Sequence, residues 1–324
     1  MLGDFRYDIG EKERVLFMNL APHDRPLLPL RMRLFRALRS RRMITEEDRI
    51  LYRSAKRGYE GELGFYEFLK GLLPRDALLL HSLSLESGHS NFQIDSLLVN
   101  NQSVCLFEVK NFVGDYYIRN HNWYLASSNK EIINPFIQLR RAESLFRQLL
   151  SSFDLSYSIS SYLVFIHPEF TLYNASMNLP LIFHSQLNRF FHQDFFQKTP
   201  YSGEDYKLAE RLLQHHKDDS RFEQLPQYTF EGLKKGITCG GCGRFMEELS
   251  SRMLMCRFCK AMDSNEEAIL RTISDFHLLF PDKRITTNTI TEWCGIKPEI
   301  TIRRFLNKHF KKIGTGKASH YLPI

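Results

Sequence analysis

Two carboxylates and an ammonium, those of Asp95, Glu108 and Lys110, are a set suited to hydrolytic chemistry. They lie in FQIDSLLVNNQSVCLFEVKN, Phe92 to Asn111, which reads as two short apolar strands turning at Asn100-Asn101-Gln102. Side chains at i and i+2 of a strand share a face, so Glu108 and Lys110 project together and Val109 points the other way. The turn brings Asp95 beside them. Two converging carboxylates repel, and each is driven toward protonation unless a cation neutralises them. Magnesium or manganese does this, taking oxygens from one or two carboxylates, waters and a substrate phosphate. A nearby lysine can position a water or offset developing negative charge. An aspartate in a turn and a surface Glu-Lys pair would have the same spelling.

The flanking segments separate these readings. GYEGELGFYEFLKGLLP upstream reads as an amphipathic helix over residues 59–73 with Glu62 near its start, stopped by Pro74. Downstream, NPFIQLRRAESLFRQLL opens a second helix with Pro135 in its first turn and Gln138 just behind. The ordered set of Gly61-Glu62, QID at Gln93 to Asp95, FEVKN at Phe107 to Asn111 and NPFIQ at Asn134 to Gln138 resembles the nuclease-related domain (NERD) family. That family is a branch of the PD-(D/E)xK nuclease superfamily. The resemblance spans about residues 58–194, and one departure is SGHSNFQID where many relatives carry a glycine-rich GGEID turn.

The resemblance implies a metal-dependent nuclease acting on phosphodiester bonds, with DNA the expected substrate. Asp95 and Glu108 would hold magnesium or manganese, Glu62 would assist, Lys110 would orient the nucleophile, and Gln138 would position water or contact phosphate. The alternative is a non-catalytic DNA-binding regulatory or scaffold protein that keeps a nuclease-like fold, since a fold does not fix a function. His89, shortly before Asp95, is a further residue to test; the remaining core histidines read as structural or surface groups.

The second chemical signal is TCGGCGRFMEELSSRMLMCRFC. Cys239 and Cys242 form one C-x-x-C pair, and Cys256 and Cys259 the other. Thiolates at i and i+3 on tight turns can share one ion, and two such pairs complete a tetrahedron. The pattern resembles a zinc ribbon, with zinc structural because four thiolates leave no open position. Cys105 and Cys294 read as buried small hydrophobes.

A third signal is at the C-terminal end. NEEAILRTISDFHLLF, ITTNTITEWCG and KPEITIRRFLNKHF read as three helices, and FKKIGTGKASHYLPI as a hairpin turning at Gly314-Thr315-Gly316. The order resembles a winged helix-turn-helix. It implies that the third helix would offer Thr301, Arg303, Arg304 and Asn307 to nucleic acid, with Lys311, Lys312 and Lys317 of the wing on phosphates. A wet basic face on a protein-interaction module would have the same composition.

Other elements must hold these residues in place. ALLLHSLSLE reads as a strand ahead of the Asp95 strand, DYYIRNHNWYLAS continues the sheet, and SYSISSYLVFIHP and LPLIFHS add buried strands. The expected fold is α/β, a mixed central sheet flanked by helices, plus a small zinc ribbon and a winged-helix-like tail. The expected segments are a basic helical region 1–57, a nuclease-like core 58–200, a helical linker 201–235, the ribbon 236–262 and the tail 263–324. Residues 31–57 are rich in arginine and lysine, a candidate basic rim for phosphates or a solvated helix face.

Composition agrees with an anionic partner. The 324 residues carry a net charge of +7, with a pI near 9.0. No run is long and apolar enough for a membrane span, and the start lacks the apolar stretch of a signal peptide. A cytoplasmic protein without membrane contact is therefore expected, with homo-oligomerisation left open.

Overall fold

The computed structural model describes residues 28–73, 77–192, 202–217, 227–250, 252–296, 299–316 and 319–323. The chain divides into two compact units, one including residues 53–222 and the other residues 30–52 and 223–324.

The larger unit is built on a five-stranded mixed sheet in the order β1-β2-β3-β7-β9. Strands β1 (Leu78–Ser87), β2 (Ser90–Asn100) and β3 (Ser103–Lys110) form an antiparallel meander, and β7 (Ser158–Phe165) and β9 (Leu181–Phe183) add in parallel. The β2–β3 turn falls on Asn101 and Gln102, both at left-handed φ of 45° and 56°. That conformation suits a two-residue hairpin whose twist matches the strands.

Helix α2 (Glu46–Leu72) covers one face with Phe65, Tyr66 and Leu69, joined by the short α4 (Leu187–Phe191). Helices α3 (Pro135–Ser152) and α5 (Gly203–His215) cover the other with Ala142, Phe146, Leu149, Leu208 and Leu212. A sheet apolar on both faces needs both layers, so the expected mixed sheet flanked by helices is present.

Two local expectations are corrected. The helix read over residues 59–73 is the C-terminal part of one 27-residue helix that begins at Glu46, its acidic first turn being Glu46, Glu47 and Asp48. Glycines 58, 61, 64 and 71 lie inside it, their propensity cost outweighed by packing. DYYIRNHNWYLAS does not continue the main sheet. Gly114 takes φ +90°, and β4 (Gly114–Arg119), β5 (Asn122–Leu125), β6 (Lys130–Ile132) and β8 (Phe170–Tyr173) form a separate sheet in the order β6-β5-β4-β8. Tyr116, Trp123 and Phe170 of that sheet share a core with Phe136 and Leu139 of α3 and Leu163 and Phe165 of β7.

In the smaller unit, α1 (Leu30–Leu38), a three-stranded sheet β10-β11-β12, and helices α6 (Asn265–Leu279), α7 (Thr287–Cys294) and α8 (Glu299–His309) share one hydrophobic core. The strands are β10 (Glu247–Ser250), β11 (Met253–Met255) and β12 (Met262–Ser264). The hairpin β13 (Phe310–Ile313) and β14 (His320–Pro323) follows α8, and Tyr321 on β14 bridges back to Ile285 just before α7.

The basic stretch is only partly a surface. Arg41 is fully buried, donates to the carbonyls of Lys234 and Gly236 at 3.1 Å each, and lies 3.9 Å over the Trp293 ring. Arg42 pairs with Asp48 at 2.8 Å. These two arginines hold the unit together and are withdrawn from any rim.

Candidate active site and metal centre

The antiparallel ladder between β2 and β3 ends at the pair Ser96 and Phe107. One step beyond, where Asp95 would face Glu108, the Asp95 carboxylate accepts a hydrogen bond from the Val109 backbone N–H at 2.7 Å. The side chain thus takes over as partner of a strand amide while the strands part.

On β3, Glu108 and Lys110 project to one side as the period-2 reading expects. Lys110 Nζ donates to Glu108 Oε1 at 2.6 Å and to Gln138 Oε1 at 2.9 Å. Glu108 is 3% exposed. Gln138 is placed by the N-terminus of α3, where Asn134 caps by accepting from the Phe136 N–H at 3.0 Å and Pro135 occupies the first turn. His89 is exposed in the tight turn between β1 and β2.

Glu62 comes from α2, and Gly61 lets that helix approach. A Cβ at position 61 would lie 2.7 Å from Asn111 Cβ and 3.4 Å from Ile166 Cγ2. Asn111, which follows β3 directly, donates from Nδ2 to the Arg57 carbonyl at 2.9 Å. The Gly61-Glu62 pair is therefore one packing device.

Ser82 belongs to no motif in the sequence. It lies opposite Asp95 in the β1–β2 register, between the pairs His81–Ser96 and Leu83–Ile94. It takes a left-handed φ of 48°, and its Oγ donates to Glu62 Oε2 at 3.4 Å. Leu78 and Leu80 share a core with Leu83 and Leu85, and Phe92 and Ile94 with Leu97 and Val99. Both strands therefore change face at this step, and the irregular apolar spacing of LLLHSLSL is the signal that marked it.

Burial and neighbouring charge govern how readily these carboxyl groups ionise. Burial, then the charges of Asp95 and Glu108, push Glu62 up to about 8. Burial and the charge of Asp95 push Glu108 up to about 8, against the pull of Lys110. Burial also raises Asp95, opposed by Lys110 and the Val109 N–H. Without a cation the cluster therefore favours protonated acids.

The four cysteines of the smaller unit converge. Among the described residues, they form the only group of three or more His, Cys, Asp or Glu side chains with ligand atoms all within 4.8 Å of one another. Glu62, Asp95 and Glu108 do not close as a trio to that span. Cys239 and Cys259 Sγ are 3.6 Å apart, and Cys242 and Cys256 3.4 Å. The edge of a tetrahedron with zinc–sulfur bonds of about 2.3 Å is roughly 3.8 Å, so the thiols are already gathered at the right scale. The knuckles match each other: Gly243 N–H bonds to the Cys239 carbonyl and Lys260 N–H to the Cys256 carbonyl. Each closing residue is left-handed, at φ 73° for Gly243 and 61° for Lys260. Cys105 and Cys294 are buried, and burial holds each thiol up at about 12.

On the tail, Thr301, Arg303, Arg304 and Asn307 are exposed on α8, while Ile302 and Leu306 face the core. Asn307 Oδ1 accepts from the Tyr321 hydroxyl at 2.9 Å, which ties α8 to the hairpin. Lys311 and Lys312 are exposed on β13. Lys317 lies outside the described residues. No described helix is long and apolar enough to cross a membrane.

No curated protein and no solved structure matches the chain significantly. Residues 57–166, which carry Glu62, Asp95, Glu108, Lys110 and Gln138, match the family model of the nuclease-related domain, NERD.

Proposed function

We propose that this protein is a metal-dependent nuclease that hydrolyses phosphodiester bonds in DNA, with its C-terminal helices and hairpin acting as a winged-helix nucleic-acid grip. The observation that supports the reading is that, where β2 and β3 part, Asp95 accepts from the Val109 amide while the residues on either side of it, Glu108 and Lys110, pair with each other, within the segment matching the nuclease-related domain.

The donor set fits a hard divalent ion. Two oxygen-ligand side chains, Asp95 raised by burial and Glu108 by burial and the charge of Asp95, are relieved by a dication that completes its shell with water and phosphate. Asp95 and Glu108 would hold magnesium or manganese, which when bound supplies charge neutralisation at the phosphate and lowers the pKa of a bound water. Glu62, brought in by α2 and held by Ser82, would assist through a water or as a further ligand. Lys110, bridging Glu108 and Gln138, orients the attacking water and offsets charge growing on the phosphoryl oxygens. Gln138 fixes the ammonium, so its own contribution is positional.

The four cysteines hold a structural zinc on this reading, since all four positions of the tetrahedron are filled by thiolates. In the tail, the exposed face of α8 offers Thr301, Arg303 and Arg304 to a groove. Lys311, Lys312 and Lys317 on the wing would meet phosphates.

The test is incubation of purified protein with supercoiled, linear and single-stranded DNA and with RNA, with added magnesium or manganese and with EDTA. Cutting that needs the metal and falls at least ~100-fold in Asp95→Ala and Lys110→Ala supports the reading, by the usual size of such losses. DNA retention with no cutting under any metal would instead establish a binding protein on a nuclease-like fold.

A further inference from the structure

The zinc-ribbon knuckles present a surface that neither the hydrolytic site nor the winged-helix reading uses. Phe258 lies between Cys256 and Cys259 and is 62% exposed, the only phenylalanine among the exposed large hydrophobic side chains of the described residues. Burying a phenylalanine is worth about 2 kcal/mol, so its place on a tight turn with the ring in solvent runs against the ordinary drive of folding. The Arg244 guanidinium lies 3.6 Å from the ring centroid, covering the ring with a cation.

Further cations lie on the two knuckles. Arg257 and Lys260 flank Phe258 in sequence and are exposed. Arg257 is held by an ion pair to Glu247. Arg39, at the end of α1, lies against Gly243 of the other knuckle. A Cβ there would meet the Arg39 guanidinium at 2.5 Å, and Gly243 sits at φ 73°. Glycine thus serves both the turn and the approach of this arginine. Residues distant in the chain therefore set Arg244 on the ring, with Arg257 and Lys260 exposed on the same knuckle and Arg39 against the other.

We propose that this knuckle surface binds single-stranded nucleic acid, with an unpaired base stacking on Phe258 and Arg39, Arg244, Arg257 and Lys260 meeting the phosphates on either side. A base offers a π-face to both an aromatic ring and a guanidinium, and the polyanionic backbone matches these cations. In a duplex the base faces are stacked against each other, so the ring discriminates for unpaired strands. The inference extends the nucleic-acid reading above by naming the form of substrate that the ribbon selects, and it does not depend on catalysis.

The test measures binding of full-length protein to a fluorescent dT20 oligonucleotide and to a blunt duplex, without added magnesium or manganese and without chelator, so that zinc stays in place. Phe258→Ala is expected to weaken dT20 binding about 5- to 100-fold, the range of one lost base–aromatic stack, and to leave duplex binding and bound zinc unchanged. Phe258→Trp is expected to retain affinity and to lose tryptophan fluorescence when dT20 is added. Lys260→Ala is expected to lower the salt slope of dT20 binding by about one. Equal dT20 affinity in wild type and Phe258→Ala, or a Phe258→Trp signal that dT20 does not change, overturns the proposal. In that case the ring serves another partner, such as a protein. Metal-dependent cutting that persists alongside such a result leaves the nuclease reading intact, and a working knuckle on a protein that never cuts removes only the catalysis.

Discussion

Ser82 takes a left-handed backbone opposite Asp95, a conformation that costs a non-glycine residue about 1–2 kcal/mol. Such strain persists only where the surroundings over-determine it, and here the surroundings are Glu62 and the parting strands. Ser82→Gly removes the Cβ penalty, so its stability should stay within about 1 kcal/mol of wild type, while loss of the Oγ contact to Glu62 should lower cutting several-fold. Thermal melts read beside a cleavage assay check this, and a variant with full activity would remove Ser82 from the site. Gly61→Ala presses a methyl group into Asn111 and should cost about 1–3 kcal/mol by overpacking. It should also displace Glu62, so activity should fall further than stability alone explains, as a comparison of cutting well below the melting temperature would show.

The elements depend on a few buried polar clasps. Asp205 in the first turn of α5 is fully buried. It accepts from the backbone N–H groups of Asn101, Gln102 and Ser202 and from the Tyr157 hydroxyl, at 2.8–3.1 Å. It therefore locks α5 onto the β2–β3 turn. Burial alone would raise this carboxyl, but the Ser202 and Gln102 amides outweigh it and hold it below the usual aspartate range. A carboxyl depressed in the folded state adds stability above its unfolded pKa and loses it as pH falls through the folded value. Asp205→Ala should cost about 3 kcal/mol through amides left unpaired. It should also flatten the loss of stability below about pH 4, as urea titrations at pH 7 and pH 3 would reveal.

At the scale of the whole molecule, the metals are the predicted determinants of stability. Cys239 and Cys256 belong to the same core as α1, α6, α7 and α8, so stripping zinc should loosen the entire smaller unit. A chelator-treated sample should show an earlier, broader melt that zinc restores. Residues 265–324 carry much of that core, including Phe276, Trp293 and Leu306. Their deletion should destabilise the ribbon, and point variants on α8 such as Arg303→Ala are the sound test of nucleic-acid contact. Magnesium should raise the melting temperature of the larger unit through differential binding to the folded state, and Glu108→Gln should abolish that rise in a calorimetric scan.

Both candidate sites were legible in the order of the amino acids. Alternation placed Glu108 and Lys110 on one face, the ordered acidic residues resembled a nuclease-related core that residues 57–166 match, and paired C-x-x-C turns marked a four-thiol cluster that the fold assembles. These signals are local, because strand period and knuckle spacing are set within a few residues. Long-range packing was needed to show that one helix runs unbroken from Glu46 to Leu72, that β4 leaves the main sheet, and that Ser82 and Asp95 fall where both strands change face. It also withdrew Arg41 from the surface into a stack on Trp293. Each of these outcomes rests on contacts between residues far apart in the chain, whose packing energy overrides local propensity and, outside the irregular leucine spacing around Ser82, leaves little trace in local spacing.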